Sequence, residues 1–344
     1  MPSNAMQLTL VLPNLLDAPP ATLAAADAPV LARLLSTAEA PILEPDGPLA
    51  IACIDLGIAK QNDWPVAPWL ARAAGIDPGS RYWLCAEPVT LAVGRVEVRL
   101  AGVVSDLDAA DSTALLSTLR AQFASDGIEF LEGGPGRWWV TLAEPQQLET
   151  SPPDAVLGKP LTAHLPRGAD AARWRRWQSE IQMLLFEHPV NRLRENSGLR
   201  PVNDVWMWGG GTLRAPDSAA AVTAVFTQTP LVRDLARAAG ADSATVPASF
   251  AALRAAPPIT SALVWLDALD APDLQEQLIR FDTDWAAPLE RALDKHELAV
   301  RLVIAGSGTA LSFTPHAGGA MQRLRRRWSV PPRLPALLAA LADA

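Results

Sequence analysis

Residues 8–12, Leu-Thr-Leu-Val-Leu, form an apolar run closed by Pro13 and predict a buried strand at the start of an α/β sheet. Residues 21–36 are rich in Ala and Leu at helical spacing, with Pro29 as an interruption. Asp46-Gly47-Pro48 is a turn signal, 49–57 is a small-residue apolar segment that reads as buried, and 65–74 predicts a short helix ended by Gly75. Beyond Asp77-Pro78-Gly79 the period changes. Residues 83–104 are strand-like, and 95–100, Arg-Val-Glu-Val-Arg-Leu, alternate with period two as a half-exposed strand does. Residues 111–123 place Leu115, Leu116, Leu119 and Phe123 on one helical face. Two strands, 128–131 and 137–142, flank a Gly-rich turn, and Pro152-Pro153 closes this small α+β module.

The second half alternates. Residues 170–186, 229–239 and 273–293 predict helices, the second stopped by Gly240. Residues 219–227, 259–266 and 298–305 are strand-like. Strand and helix in alternation imply an α/β fold with a mainly parallel sheet flanked by helices.

Composition narrows the class. Of 344 residues, 49% are apolar and 19% charged, so the chain has the material for a packed core and is too hydrophobic for disorder. That length predicts two domains, or one core with an insertion. No apolar run approaches the roughly 18 residues of a membrane span, and the start lacks a secretory-signal pattern. Two cysteines, Cys53 and Cys85, exclude a disulfide framework or a cysteine zinc site, and a reducing cytoplasm is expected. With 29 basic and 37 acidic residues the net charge is −8, which argues against a dedicated nucleic-acid binder. The basic run from Arg323 to Arg327 then reads as a solvated patch. Twelve tryptophans accompany a single tyrosine. Trp138-Trp139 and the alternating Trp206 and Trp208 are candidates for docking a protein partner; a packed core is the other reading.

The densest polar cluster is 188–203, HPVNRLRENSGLRPVN, followed by VWMWGGG. It holds two Pro-Val-Asn triplets. Two readings fit: a loop pinned by its own hydrogen bonds, or an anion contact in which an arginine fork meets a phosphate. Gly209, Gly210 and Gly211 allow close backbone approach, without a Walker or Rossmann spacing. None of the four histidines, His164, His188, His296 and His316, has metal-motif spacing, and each reads as a structural residue. Asp267, Asp270 and Asp273 could hold a cation or favour a helix start. No G-x-S-x-G elbow is present, and Cys53 lies in an apolar stretch.

The cluster and its Gly-ending strand resemble the H-P-V-N-x-x-R-x-x-x-G-x-x-P-A-N segment of the archaeal-type cofactor-independent phosphoglycerate mutases. With EIQMLLFEHPVN and the tryptophan-rich strand, the chain resembles more closely the bacterial RpfE-type regulatory proteins, divergent relatives in the alkaline-phosphatase-like superfamily. The resemblance implies an alkaline-phosphatase-like core at 1–78 and 154–344, with an inserted α+β domain at 79–153. It also implies where catalytic groups would stand. After the first strand, where a metal-binding Asp is expected, the chain has Asn14. Where a nucleophilic Ser is expected it has Pro48, Leu49 and Ala50. An expected Asp-His pair is replaced by Gly306-Ser307, and no His follows Asp270. The expectation is a non-catalytic cytoplasmic regulatory or binding protein, without cofactor or membrane contact. It would take a protein partner or a phosphorylated small molecule in an anion pocket built from His188, Asn191, Arg194, Asn203 and the three glycines. The alternative is an active metal-dependent mutase or phosphatase using Asp267, Asp270, Asp273 and His316.

Overall fold

A computed structural model describes residues 5–317, apart from 26, 39–40, 96, 134–135, 218–220, 256–258 and 267–272, together with 334. The strands are β1 (Met6–Leu12), β2 (Ile42–Glu44), β3 (Tyr82–Val93), β4 (Val98–Val103), β5 (Glu129–Glu132), β6 (Trp138–Leu142), β7 (Asp204–Gly211), β8 (Ala224–Thr227), β9 (Asp242–Ala244), β10 (Ser261–Trp265), β11 (Leu298–Ala305) and β12 (Ala310–Phe313). The helices are α1 (Pro20–Ala25), α2 (Pro29–Ser36), α3 (Gly47–Asp55), α4 (Val66–Ala73), α5 (Ala109–Phe123), α6 (Pro153–Val156), α7 (Ala171–Phe186), α8 (Pro189–Asn196), α9 (Pro230–Ala239), α10 (Phe250–Ala255), α11 (Leu274–Phe281) and α12 (Ala287–Asp294). Among the described residues no helix is long and apolar enough to cross a membrane.

The chain divides into two units. One comprises 1–57 and 218–344, the other 58–217. The insertion expected at 79–153 lies inside the second unit, which also takes in 58–78 and 154–217.

The first unit is built on a seven-stranded sheet in the order β2-β12-β11-β1-β10-β8-β9. The central strands run parallel, and β12 and β2 close one side antiparallel. Leu8, Leu10 and Leu12 point to one face, as the period of two requires, and meet Leu302, Ile304 and Val264 in a core closed by helical residues such as Leu31, Leu278 and Leu289. The long helix expected at 273–293 is interrupted. A π turn at Asp282–Ala286 separates α11 from α12, and the Asp282 carboxylate accepts the Leu31 and Val30 amides at 2.7 and 3.2 Å. Asp282 thereby satisfies donors at the start of α2 that the helix itself leaves unpaired.

The second unit is an antiparallel sheet. Its order is β4-β3-β6-β5, and β7 also pairs with β3. Leu84, Ala86, Trp138, Val140, Val205 and Met207 face one core with Leu115, Leu119 and Phe123 of α5 and Trp174, Trp177 and Ile181 of α7. The tryptophans proposed to dock a partner are interior. Trp138 and Trp139 are 0% exposed, Trp206 2% and Trp208 5%. Adjacent Trp138 and Trp139 point to opposite faces of β6, and both faces are covered, so these rings pack the unit and present no docking surface.

Candidate functional site

The polar cluster 188–203 folds as α8 and the turn and irregular segment that lead into β7, and the structure shows what its polar groups do. His188 caps α8: the Val190 N–H donates to Nδ1 at 3.3 Å. With Nδ1 accepting, Nε2 carries the proton and donates to Thr118 Oγ1 at 3.0 Å. Burial holds this imidazole below its ordinary pKa, opposed by Asp111. Asn191 is buried and acts as a peptide mimic. Its Nδ2 donates to the Leu185 and Val202 carbonyls, both at 2.7 Å, and its Oδ1 accepts the Val202 N–H at 2.8 Å. Asn203 repeats the device on Leu91, accepting its N–H at 2.6 Å and donating to its carbonyl at 2.9 Å. The two Pro-Val-Asn triplets are therefore two clamps.

Arg194 has a side chain only 2% exposed. Its Nε donates to the Arg200 carbonyl at 2.9 Å, and its terminal nitrogens reach Asp106 at 2.7 Å and Asp111 at 3.5 Å. The fork expected to hold an anion already holds two carboxylates and a carbonyl. The glycines are likewise filled. A Cβ on Gly210 would stand 2.0 Å from Tyr82 Oη, one on Gly211 2.4 Å from Pro65 Cβ, and one on Gly209 3.0 Å from Val66 Cβ. Their amides point at protein acceptors: Gly209 N–H to Thr150 Oγ1 at 2.9 Å, and Gly210 N–H to Asp63 at 3.3 Å. Asp63 also accepts the Thr150 hydroxyl, and burial raises it to about 6. The anion pocket expected from these seven residues is not what they form. Their donors and their space are taken by the second unit itself.

The first unit places the implied catalytic positions together. Strands β1, β10 and β11 end in register, with Val11 beside Trp265 and Leu12 beside Ile304. Ligand sites of α/β sheets lie outside such carboxyl ends. Asn14 leaves β1 in a left-handed conformation, φ 61°, and starts the short helical turn Leu15–Asp17. Gly306 packs on Asp17, where a Cβ would come within 2.8 Å of its Oδ1, and the Ser307 N–H donates to Asp17 Oδ2 at 2.6 Å. Gly47 opens α3 with its Cβ position 3.2 Å from the Gly308 carbonyl. The carboxyl end of the sheet thus gathers Asn14, Asp17, the start of α3 and the 306–308 turn. Asp267 and Asp270 lie outside the described residues.

The described residues at this end of the sheet do not fit a pair of divalent cations. Such ions need several anionic or imidazole ligands to offset their dehydration. Asn14 offers a neutral amide, Asp17 is engaged by a backbone amide, and 48–50 carry no hydroxyl. Among the described residues no three His, Cys, Asp or Glu side chains gather as a metal-ion site.

No family model matches the chain. One segment of 116 residues is 37% identical to the 2,3-bisphosphoglycerate-independent phosphoglycerate mutase of Methanothrix thermoacetophila, covering 32% of this chain and 29% of that protein. A segment of 143 residues is 27% identical to the probable 2,3-bisphosphoglycerate-independent phosphoglycerate mutase of Geobacter sulfurreducens, covering 40% and 35%. The match thus spans about a third of these relatives' length. Among solved structures, a cofactor-independent phosphoglycerate mutase from Thermoplasma acidophilum aligns with a TM-score of 0.47 at 16% identity, over 98% of this chain and 99% of that one. The chain is related in part of its sequence to phosphoglycerate mutases.

Proposed function

We propose that this protein is a phosphoglycerate-mutase-like, alkaline-phosphatase-type fold that has lost metal-dependent phosphoryl transfer and works as a cytoplasmic regulatory or binding protein of the RpfE kind. The observation that carries the reading is the donor set at the carboxyl end of the sheet. Asn14, Pro48-Leu49-Ala50 and Gly306-Ser307 adjoin where a metal-dependent phosphomutase needs carboxylates, imidazoles and a hydroxyl. Without a nucleophile there is no phosphoenzyme, and without ligands no cation offsets the charge of the transferring group. The chain retains the sheet and the turns around its carboxyl end, which suits binding.

The test is metal content of the purified protein, with manganese and zinc titrated in a thermal-shift assay and interconversion of phosphoglycerate isomers measured on the same sample. A ligand specific to the folded state raises Tm. We expect no retained metal, no shift and no isomer interconversion. One or two equivalents of bound metal with turnover would establish the active mutase instead.

A further inference from the structure

Helix α7 carries a second pattern besides the one that packs it. Trp174, Trp177, Ile181 and Leu185 enter the core of the second unit. The opposite side of the helix is exposed, and it is not uniformly polar. Met183 is 68% and Phe186 77% exposed, one helical turn apart. Ala172, Ser179, Met183 and Phe186, all exposed, follow one another at spacings of seven, four and three residues. That is the rhythm of a helix face that packs on another helix. At about 100° per residue, Arg176 and Glu187 border this stripe on one side, and Arg175 borders it on the side to which Phe186 leans.

Charge along the face is divided. Arg175 and Arg176 stand in its amino-terminal half and Glu187 at its carboxyl end. Arg173, also in the first half, is spent inside the unit, on Asp170 at 2.9 Å and over the Trp177 ring at 5.1 Å. Arg176 reaches Glu180 only at 3.7 Å. An exposed pair of that kind holds its partners weakly.

Such a face complements itself when a second copy lies against it antiparallel. A two-fold axis across the helix pair keeps each side of the stripe beside the same side of the other copy. With that axis near residue 181, Arg176 meets Glu187 of the second copy, Arg175 meets its Phe186 ring, and Ser179 meets its Met183. Each contact then occurs twice. An arginine–carboxylate pair and a guanidinium over an aromatic ring are both attractive. A parallel pair would set Arg175 and Arg176 against their own counterparts, which like charges oppose.

We propose that the exposed face of α7 docks a second copy of this chain, antiparallel and in this register, to form a two-fold dimer. The proposal does not depend on whether the carboxyl end of the first unit's sheet is catalytic.

Two helices make a small contact, so the dimer is expected to be weak and concentration-dependent. Sedimentation equilibrium of the full chain from about 1 to 300 µM should show a reversible rise from one chain mass toward two. Phe186→Asp should weaken association at least about tenfold. Arg176→Glu and Glu187→Arg should each weaken it about tenfold, since each places like charges together. Mixed in equal amounts, these two variants should associate about as tightly as the parent, because every facing pair is again Arg with Glu. The three positions are exposed, so the variants keep the parent Tm. A chain that stays single over this range leaves the stripe to another partner and overturns the proposal. So does association that Phe186→Asp leaves unchanged, or a mixture that associates no better than either variant alone.

Discussion

At the scale of single residues, the side chains that look most chemical in the sequence are those most committed to the fold. Arg194 is the clearest case. It donates to Arg200, Asp106 and Asp111 from a site closed to solvent. A hydrogen bond to a charged group contributes about 1.5–3 kcal/mol, and truncation leaves the Arg200 carbonyl and Asp111 without their donor. Arg194→Ala is therefore expected to cost about 2–3 kcal/mol, read as a lower urea midpoint at constant m. Arg194→Lys should recover little of this, since an ammonium cannot reproduce the planar fork. An unchanged midpoint in Arg194→Ala would show that the fork is free. These roles were illegible in the sequence for a physical reason. Asn203 acts on Leu91 and Arg194 on Asp106, and no local pattern records partners so distant along the chain.

At the scale of elements, hydrophobic period was a good guide where an element has one apolar face. Strands β1, β10 and β11 and helices α5, α7 and α9 stand close to where the pattern puts them. It was a poor guide where polar residues are internal. Helix α8 hides in a segment read as a loop or anion contact, because Asn191 and Arg194 are buried and Leu193 is not. Residues 49–57, read only as buried, are α3 for most of their length; the exposed position Ile54 is as apolar as its buried neighbours, so no helical period shows. The glycine triplet of β7 makes a sharp prediction here. Its glycines admit Tyr82, Pro65 and Val66, so Gly210→Ala drives a methyl into the Tyr82 hydroxyl and should destabilise by about 1–3 kcal/mol. The Tyr82 hydroxyl is buried without a partner, so Tyr82→Phe should be neutral or stabilising on its own. Combined, Tyr82→Phe should recover part of the Gly210→Ala loss, a coupling that a double-mutant cycle measures. Strict additivity would mean that the ring and the glycine do not meet.

At the scale of the whole molecule, the charges that matter most for stability are buried carboxylates of the second unit. Burial raises Asp63 to about 6 and Asp204 to about 7. Burial also raises Glu87 to about 7, against the pull of Arg137. The ordinary values are 3.8 for Asp and 4.5 for Glu, so between there and neutrality the folded state holds protons that the unfolded state has released. Stability from these groups is complete below the unfolded pKa and is lost as pH rises through the folded one. His164 and His188, with lowered pKa, act oppositely and lose stability as pH falls through their folded values. A bare pH profile would blend the two, so one group must be isolated. Asp204 is the best choice, being 0% exposed. Its Oδ2 accepts from Gln178 and Gln182 at 3.0 and 2.9 Å, and its Oδ1 from the Val205 amide at 2.7 Å. Asp204→Asn keeps one acceptor oxygen and loses the other, so the variant should be less stable than the parent at pH 5. Because asparagine does not titrate, that deficit should shrink as pH rises to 8, where the parent must carry a buried charge. The measurement is the urea unfolding free energy of parent and variant at several pH values. A deficit constant with pH would mean that Asp204 is ionised in the folded protein throughout, with the two glutamine amides sufficient to hold its charge.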